Sequence, residues 1–185
     1  MKTQTQMAYY PKYYGELSVQ VFAPQFYYSK SQKVDYYSKQ VVDGKTQDLS
    51  SYFLEPVKAV FVKLPFKPNL IVMVPSHQKG KFSPTLHSLA LRLYRDFRIP
   101  YANVIERIKE GKKLTSCEGR DERYEQVNGA FEVDSTIYSL NRLKIVLLDD
   151  TKTTGFTTLE CTKELRAVGA MDVVGVCLGI NAHEG

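Results

Sequence analysis

The sequence has no tryptophan, no cysteine pair at C-x-x-C spacing, no internal repeat, no low-complexity tract and no Gly/Ser-rich linker. Each absence removes a class of protein. Cys117, Cys161 and Cys177 are odd in number and widely spaced, which gives neither a disulfide framework nor a zinc site. Three reduced thiols, two of them buried, are expected. No window approaches the ~18 apolar residues of a membrane helix, so no membrane partner is expected. The opening MKTQTQMAYYPKYYG lacks the apolar core of a signal peptide, and a cytoplasmic location is the expectation. A P-loop, G-x-x-x-x-G-K-[ST], is also missing.

What remains is an ordinary globular composition with two peculiarities. The 185 residues are 43% hydrophobic and 24% charged, enough for one domain with a real core, or one domain with an appendage. The net charge is +5, which suits nucleic acid and suits a small polyanionic ligand equally. Tyrosine is abundant: thirteen residues, eight of them before residue 40. These aromatics interleave with Lys30, Lys33 and Lys39, a pattern that can stack on single-stranded bases or simply pack as strands on a core.

The chain reads as two parts, residues 1–66 and 67–185. In the second part, Asn69–Val74 (NLIVMV) is a continuous apolar run of the kind a buried parallel strand needs. Ser83 and Pro84 supply an N-cap and a first-turn proline for a helix with Leu86, Leu89, Ala90, Leu93 and Phe97 on its inner face. Ile99–Ile105 is predicted as a second strand, and residues 106–126 as a long polar loop. Leu143–Leu148 is a third strand. A helix over Thr157–Val168 follows, with Thr158, Cys161, Leu165 and Val168 inward and Gly169 at its end. Asp172–Leu178 is the last strand. This alternation predicts an α/β fold, an open, mostly parallel sheet flanked by helices. In the first part, Ser18–Phe22, Phe26–Tyr28 and Val34–Val42 are predicted as strands and Leu49–Val57 as a helix. Residues 1–66 are too short and too poor in aliphatics to bury a core alone, which predicts a β-rich hood over the carboxyl ends of the sheet.

The chemistry concentrates in IVLLDDTKTTGFT, Ile145–Thr157. A buried strand ends in two carboxylates, Asp149 and Asp150. A turn rich in hydroxyls and glycine follows, then a helix begins. Backbone N–H groups in such a turn, with a helix N-terminus, bind a phosphate. Thr151, Thr153, Thr154 and Thr157 add hydroxyls, and Gly155 permits close backbone approach. The acids would repel a phosphate, so they suit ribose hydroxyls, a hydrated Mg2+ or positive charge developing on a sugar. A second basic turn, Val74–Lys81 (VPSHQKGK), follows the first strand and suits a pyrophosphate.

IVLLDDTKTTGFT closely resembles the signature of type I phosphoribosyltransferases, which bind phosphoribosyl pyrophosphate (PRPP). The resemblance implies that Asp149 and Asp150 hold the ribose hydroxyls and Mg2+, the latter through water. It implies that Thr151, Lys152, Thr153, Thr154, Gly155 and Thr157 wrap the 5′-phosphate. Ser76, His77, Lys79 and Lys81 would then form the pyrophosphate loop. The stretches MVPSHQKGKFSPTLHSLALRL and RDERYEQVNGAFEV are similar to segments of ComF-type members, over roughly residues 69–180. Two features depart from that pattern: the four-cysteine zinc module common in ComF-type proteins is missing, and Lys152 stands where an apolar residue is usual. The implied activity is transfer of a phosphoribosyl group to a nucleobase-like acceptor, with Arg107, Lys109 and Lys112 on a lid that closes over the site. The alternatives are a PRPP-sensing regulator and a ComF-like role in DNA uptake or processing, with nucleic acid as partner. A homodimer is compatible with either.

Overall fold

The computed structural model describes residues 3–28, 35–76, 78, 80–110 and 117–182. His77, Lys79 and Lys112 lie outside the described residues, as do Lys30 and Lys33. The strands are β1 (Gln4–Tyr9), β2 (Ser18–Ala23), β3 (Gln25–Tyr27), β4 (Leu70–Met73), β5 (Tyr101–Ala102), β6 (Ile105–Arg107), β7 (Phe131–Val133), β8 (Lys144–Lys152) and β9 (Asp172–Asn181). The helices are α1 (Pro11–Tyr14), α2 (Tyr36–Asp43), α3 (Ser50–Phe61), α4 (Pro84–Phe97), α5 (Arg120–Glu125) and α6 (Phe156–Ala167). The fold is mixed α/β, a mostly parallel central sheet with helices on both faces. The sheet runs β1-β2-β9-β8-β4-β5, with β3 also paired to β9. Only β1 runs antiparallel to its neighbour; β6 and β7 form a separate antiparallel pair.

The central strands are apolar on both sides because both sides are covered. Leu70, Val72, Ile145, Leu147, Val173 and Cys177 face a core shared with Phe156, Leu159, Cys161 and Leu165 of α6. Ile71, Met73, Val146, Leu148, Val174, Val176 and Leu178 face the other core, with Phe53 and Val57 of α3 and Leu86, Leu89 and Leu93 of α4. Each large aliphatic side chain so buried contributes roughly 1.5–3 kcal/mol relative to exposure. All three cysteines are free and buried, one more than expected. Among the described residues no helix is long and apolar enough to cross a membrane.

Three expectations are corrected here. Val34–Val42 is not a strand: Tyr36–Asp43 is helix α2, capped by the Asp35 carboxylate accepting from the Ser38 N–H at 2.7 Å. Tyr37 and Val41, four residues apart, are its buried face, and this spacing outweighs the strand propensity of Tyr and Val. Ile99–Ile105 is not one strand. It splits into the whole of β5, in the main sheet, and the first residue of β6, in the small one. Ser83 makes no side-chain cap on α4; its hydroxyl donates to the Gly44 carbonyl at 2.9 Å instead.

The first 66 residues complete the sheet. β2 and β3 lie in succession along the same edge of β9, at Val21–Phe22 and Gln25–Tyr27. They are interrupted at Pro24, which has no N–H to offer a ladder. β1 then pairs outside β2, while α2 and α3 contribute Tyr37, Val41, Phe53, Val57 and Val60 to the core on one face.

Candidate functional site

Crossing the sheet, β4 leads to β5 on one side and β8 leads to β9 on the other. The direction of travel reverses between β4 and β8, and in open α/β sheets ligands bind beyond the carboxyl ends of the strands at such a point. Both candidate loops lie there. The Val74 N–H donates to the Leu148 carbonyl at 2.9 Å, so the chain leaving β4 starts beside Asp149.

β8 is longer than the sequence suggested. It continues through both acids to Lys152, with Thr151 opposite Gly179 and Lys152 opposite Ile180 on β9. The turn proper is therefore Thr153–Gly155. Asp149, Asp150, Thr151, Thr153 and Thr157 are partly exposed, whereas Thr154 is buried. The Thr154 hydroxyl accepts the Phe156 N–H at 3.5 Å, and Gly155 caps α6, its carbonyl accepting from the Leu159 N–H at 2.9 Å. The first-turn N–H groups of α6 thus open toward the turn. Gly155 is required on two counts. Its φ is +88°, and a Cβ there would stand 2.7 Å from the Cβ of Ala8 on β1.

The acid pair is electrostatically strained. The Asp149 carboxylate accepts from the Asp150 N–H at 2.8 Å. Its pKa is pushed up to about 8, first by burial and then by the neighbouring Asp150 charge; the hydrogen bond and Lys45 pull the other way. Asp150 accepts from the Thr151 hydroxyl at 3.0 Å and pairs with the Lys45 ammonium at 3.5 Å. Lys45 also donates to Thr151 Oγ1 at 3.0 Å.

Lys152 is the last residue of β8. It is buried, and its ammonium donates to Gln6 Oε1 at 2.5 Å and to the Thr153 carbonyl at 3.3 Å, tying the turn to β1. In the loop after β4, the Ser76 N–H donates to the Lys81 carbonyl at 2.9 Å and its hydroxyl to that of Gln78 at 3.2 Å. Gly80 takes φ +70° in this small closed turn, and Lys81 is exposed.

Arg107 is the last residue of β6. It is buried against the Phe131 ring at 5.0 Å, and burial lowers its pKa. Its guanidinium donates to the carbonyls of Lys109 and Gln126, each at 2.8 Å. Lys109 donates to the Asn128 carbonyl at 3.2 Å. The two residues clamp the base of the polar segment.

Reading the sequence missed the contributions from before residue 66. Tyr27 is buried over Gly179, the strand partner of Thr151, where a Cβ would meet its ring at 2.9 Å; burial raises its pKa. Gln6, Ala8 and Lys45 likewise reach the end of β8. None sits in a recognisable local pattern; only the sheet order brings them there.

Solved structures match this architecture, and one of them is of a known enzyme. It is the glutamine PRPP amidotransferase from B. subtilis complexed with ADP and GMP, with a TM-score of 0.50 and 16% identity over 79% of this chain. The fold resembles that of a PRPP amidotransferase. The chain spans about a third of that enzyme's length, 32%. A second structure, described as the allosteric regulatory enzyme of purine biosynthesis, aligns at a TM-score of 0.43 and 17% identity, over 81% of this chain and 28% of that one. No protein-family model matches the sequence, and no curated protein matches it.

Proposed function

We propose that the chain binds PRPP with Mg2+ and transfers the phosphoribosyl group to a nitrogenous base, releasing pyrophosphate. The observation that carries this reading is the acid pair at the end of β8, followed directly by a hydroxyl-rich turn and the N-terminus of α6. Such an arrangement suits one ligand with a sugar and a phosphate a few ångströms apart. Thr153, Gly155 and Thr157 with the first turn of α6 take the 5′-phosphate. Asp149 and Asp150 accept from the ribose hydroxyls. Ser76, His77, Lys79 and Lys81 take the pyrophosphate.

Among the described residues no group of three or more His, Cys, Asp or Glu could hold a metal by itself. Two adjacent carboxylates nevertheless fit Mg2+, which takes one or two carboxylates and completes its shell with water and phosphate oxygens. When bound it supplies neutralising charge for the departing pyrophosphate. In the reaction the C1–oxygen bond breaks with its electron pair going to pyrophosphate. A ring nitrogen of the acceptor forms the new bond to C1 and gives up its proton. The acids stabilise the positive charge that develops on the sugar, and the turn holds the phosphate as an anchor.

The closeness to ComF-type members rests on V-P-S-H and on R-D-E-R-Y-E-Q-V-N-G-A-F. The second stretch has a local physical basis. Gly129 takes φ +59°, and its N–H donates to the buried Glu160 carboxylate at 2.9 Å, fixing this segment to α6.

One observation favours a second reading, a PRPP-binding regulator without turnover: Lys45 already engages Asp150. Calorimetry with PRPP and Mg2+, together with pyrophosphate release across a panel of nucleobases, tests both. Binding with release in the presence of at least one base is expected. Binding with no release from any base selects the regulator, and absence of PRPP binding overturns both.

A further inference from the structure

Lys45 stands outside every motif of the site, yet two independent sets of contacts fix it there. Its backbone lies in the connection between α2 and α3, which is pinned to the start of α4. The Ser83 hydroxyl donates to the Gly44 carbonyl at 2.9 Å, and the Thr85 hydroxyl to the Gln47 carbonyl at 2.6 Å. The Leu49 N–H returns to Thr85 Oγ1 at 2.9 Å, and the Ser88 hydroxyl donates to Asp48 at 2.7 Å. Ser83 comes two residues after Lys81, so the anchor of Lys45 is the exit of the loop that follows β4.

Its head group belongs to the other loop. The ammonium donates to Thr151 Oγ1 at 3.0 Å and pairs with Asp150 at 3.5 Å. Lys45 therefore spans the gap between the loops after β4 and β8. An ammonium carries three donors, and these two contacts leave one. The side chain is 36% exposed, so a ligand seated between the loops can reach that donor. A polyanion approaching two adjacent carboxylates meets repulsion, and a fixed cation beside them offsets it.

We propose that Lys45 is a binding residue for the diphosphate-bearing end of the ligand, supplied by the segment before the α/β core. The inference rests on the reading of the site as a PRPP site. One charge-assisted hydrogen bond in a partly buried place corresponds to about ten- to hundredfold in affinity.

The experiment is calorimetric titration of the full chain, with Mg2+ present, against PRPP and against ribose 5-phosphate, which lacks the diphosphate. Lys45→Met should weaken PRPP binding about ten- to hundredfold and ribose 5-phosphate binding no more than a few-fold. Lys45→Arg should recover most of the PRPP affinity, because it keeps the charge; a loss due to altered packing would not be recovered this way. Lys45→Gln keeps a donor for Thr151 without the charge, and should match Lys45→Met if that variant folds and replace it if it does not. Equal losses for both ligands would overturn the assignment to the diphosphate end, as would unchanged PRPP affinity in folded Lys45→Gln. If the unmodified protein binds no PRPP, the reading of the site falls and this inference with it. If the unmodified protein binds PRPP and the variants match it, only the inference falls.

Discussion

The turn after β8 and the connection between α2 and α3 meet at the same place by different routes. The turn is a single stretch of sequence: strand, acids, hydroxyls, glycine and helix follow one another, and each residue's task can be read from its neighbours. The connection brings Lys45 to the acids only because α2 and α3 pack on one face of the sheet and α4 holds their link. A contiguous site carries its geometry in local backbone preference. An assembled site carries it in the packing of distant elements, and depends on the whole fold being in place.

Removing residues 1–45 is the severest way to break this comparison. It takes away β1, β2, β3, α2 and Lys45, uncovers one edge of β9 and deletes Ala8, Val21, Tyr37 and Val41 from the two cores. We expect loss of cooperative unfolding and aggregation, followed by circular dichroism and size-exclusion chromatography. A folded, soluble fragment would show that the α/β part stands alone.

The double substitution Asp149→Asn with Asp150→Asn tests the contiguous site by itself. PRPP affinity should fall by at least about a hundredfold, two carboxyl contacts to the sugar and Mg2+ being removed at once, while the circular dichroism spectrum stays unchanged. Affinity within a few-fold of the original would remove the acids from the site.

Gly155→Ala joins the two regions, because the new methyl would meet both the φ of +88° and Ala8. A loss of about 1–3 kcal/mol is expected in urea denaturation. The companion Ala8→Gly should return part of it by clearing the contact. No recovery would mean that the backbone angle alone sets the cost.

The smallest effect is a slope with pH. Asp149 has a folded pKa pushed up to about 8 against an ordinary value of 3.8, so the folded chain holds this proton to higher pH than the unfolded chain does. Its contribution to stability is fully present below about pH 4 and is lost as pH rises through about 8. Ligand-free protein should lose stability steadily as pH rises across that window, followed by urea denaturation at each pH. In Asp149→Asn the slope should flatten. An identical slope in the two proteins would place its origin elsewhere.

Much of the fold was legible because buried parallel strands announce themselves. NLIVMV, LKIVLL and DVVGVCL are continuous apolar runs, and Leu86, Leu89, Ala90 and Leu93 recur at helical spacing, all buried as that spacing requires. The strand around Val34–Val42 was misread because Tyr and Val favour strands, whereas Asp35 as a cap and the Tyr37–Val41 spacing decide for a helix. Within the site, the acids and the turn were legible from their order. The burial of Lys152 was not, since it depends on Gln6, and the burial of Arg107 depends on two carbonyls that sequence patterns do not reveal.

The sheet order also has a consequence in time. β2 and β3 are made early, yet among their parallel partners only β9 receives them, with Val21 meeting Gly175. Synthesis at about 5–20 residues per second leaves these two strands waiting roughly 10–30 s before the edge they join exists. During that interval Val19, Val21 and Phe22 have no sheet to rest on. A chaperone that shelters an exposed strand edge on the ribosome would act on this segment first, and slower translation of the last strand would lengthen its exposure.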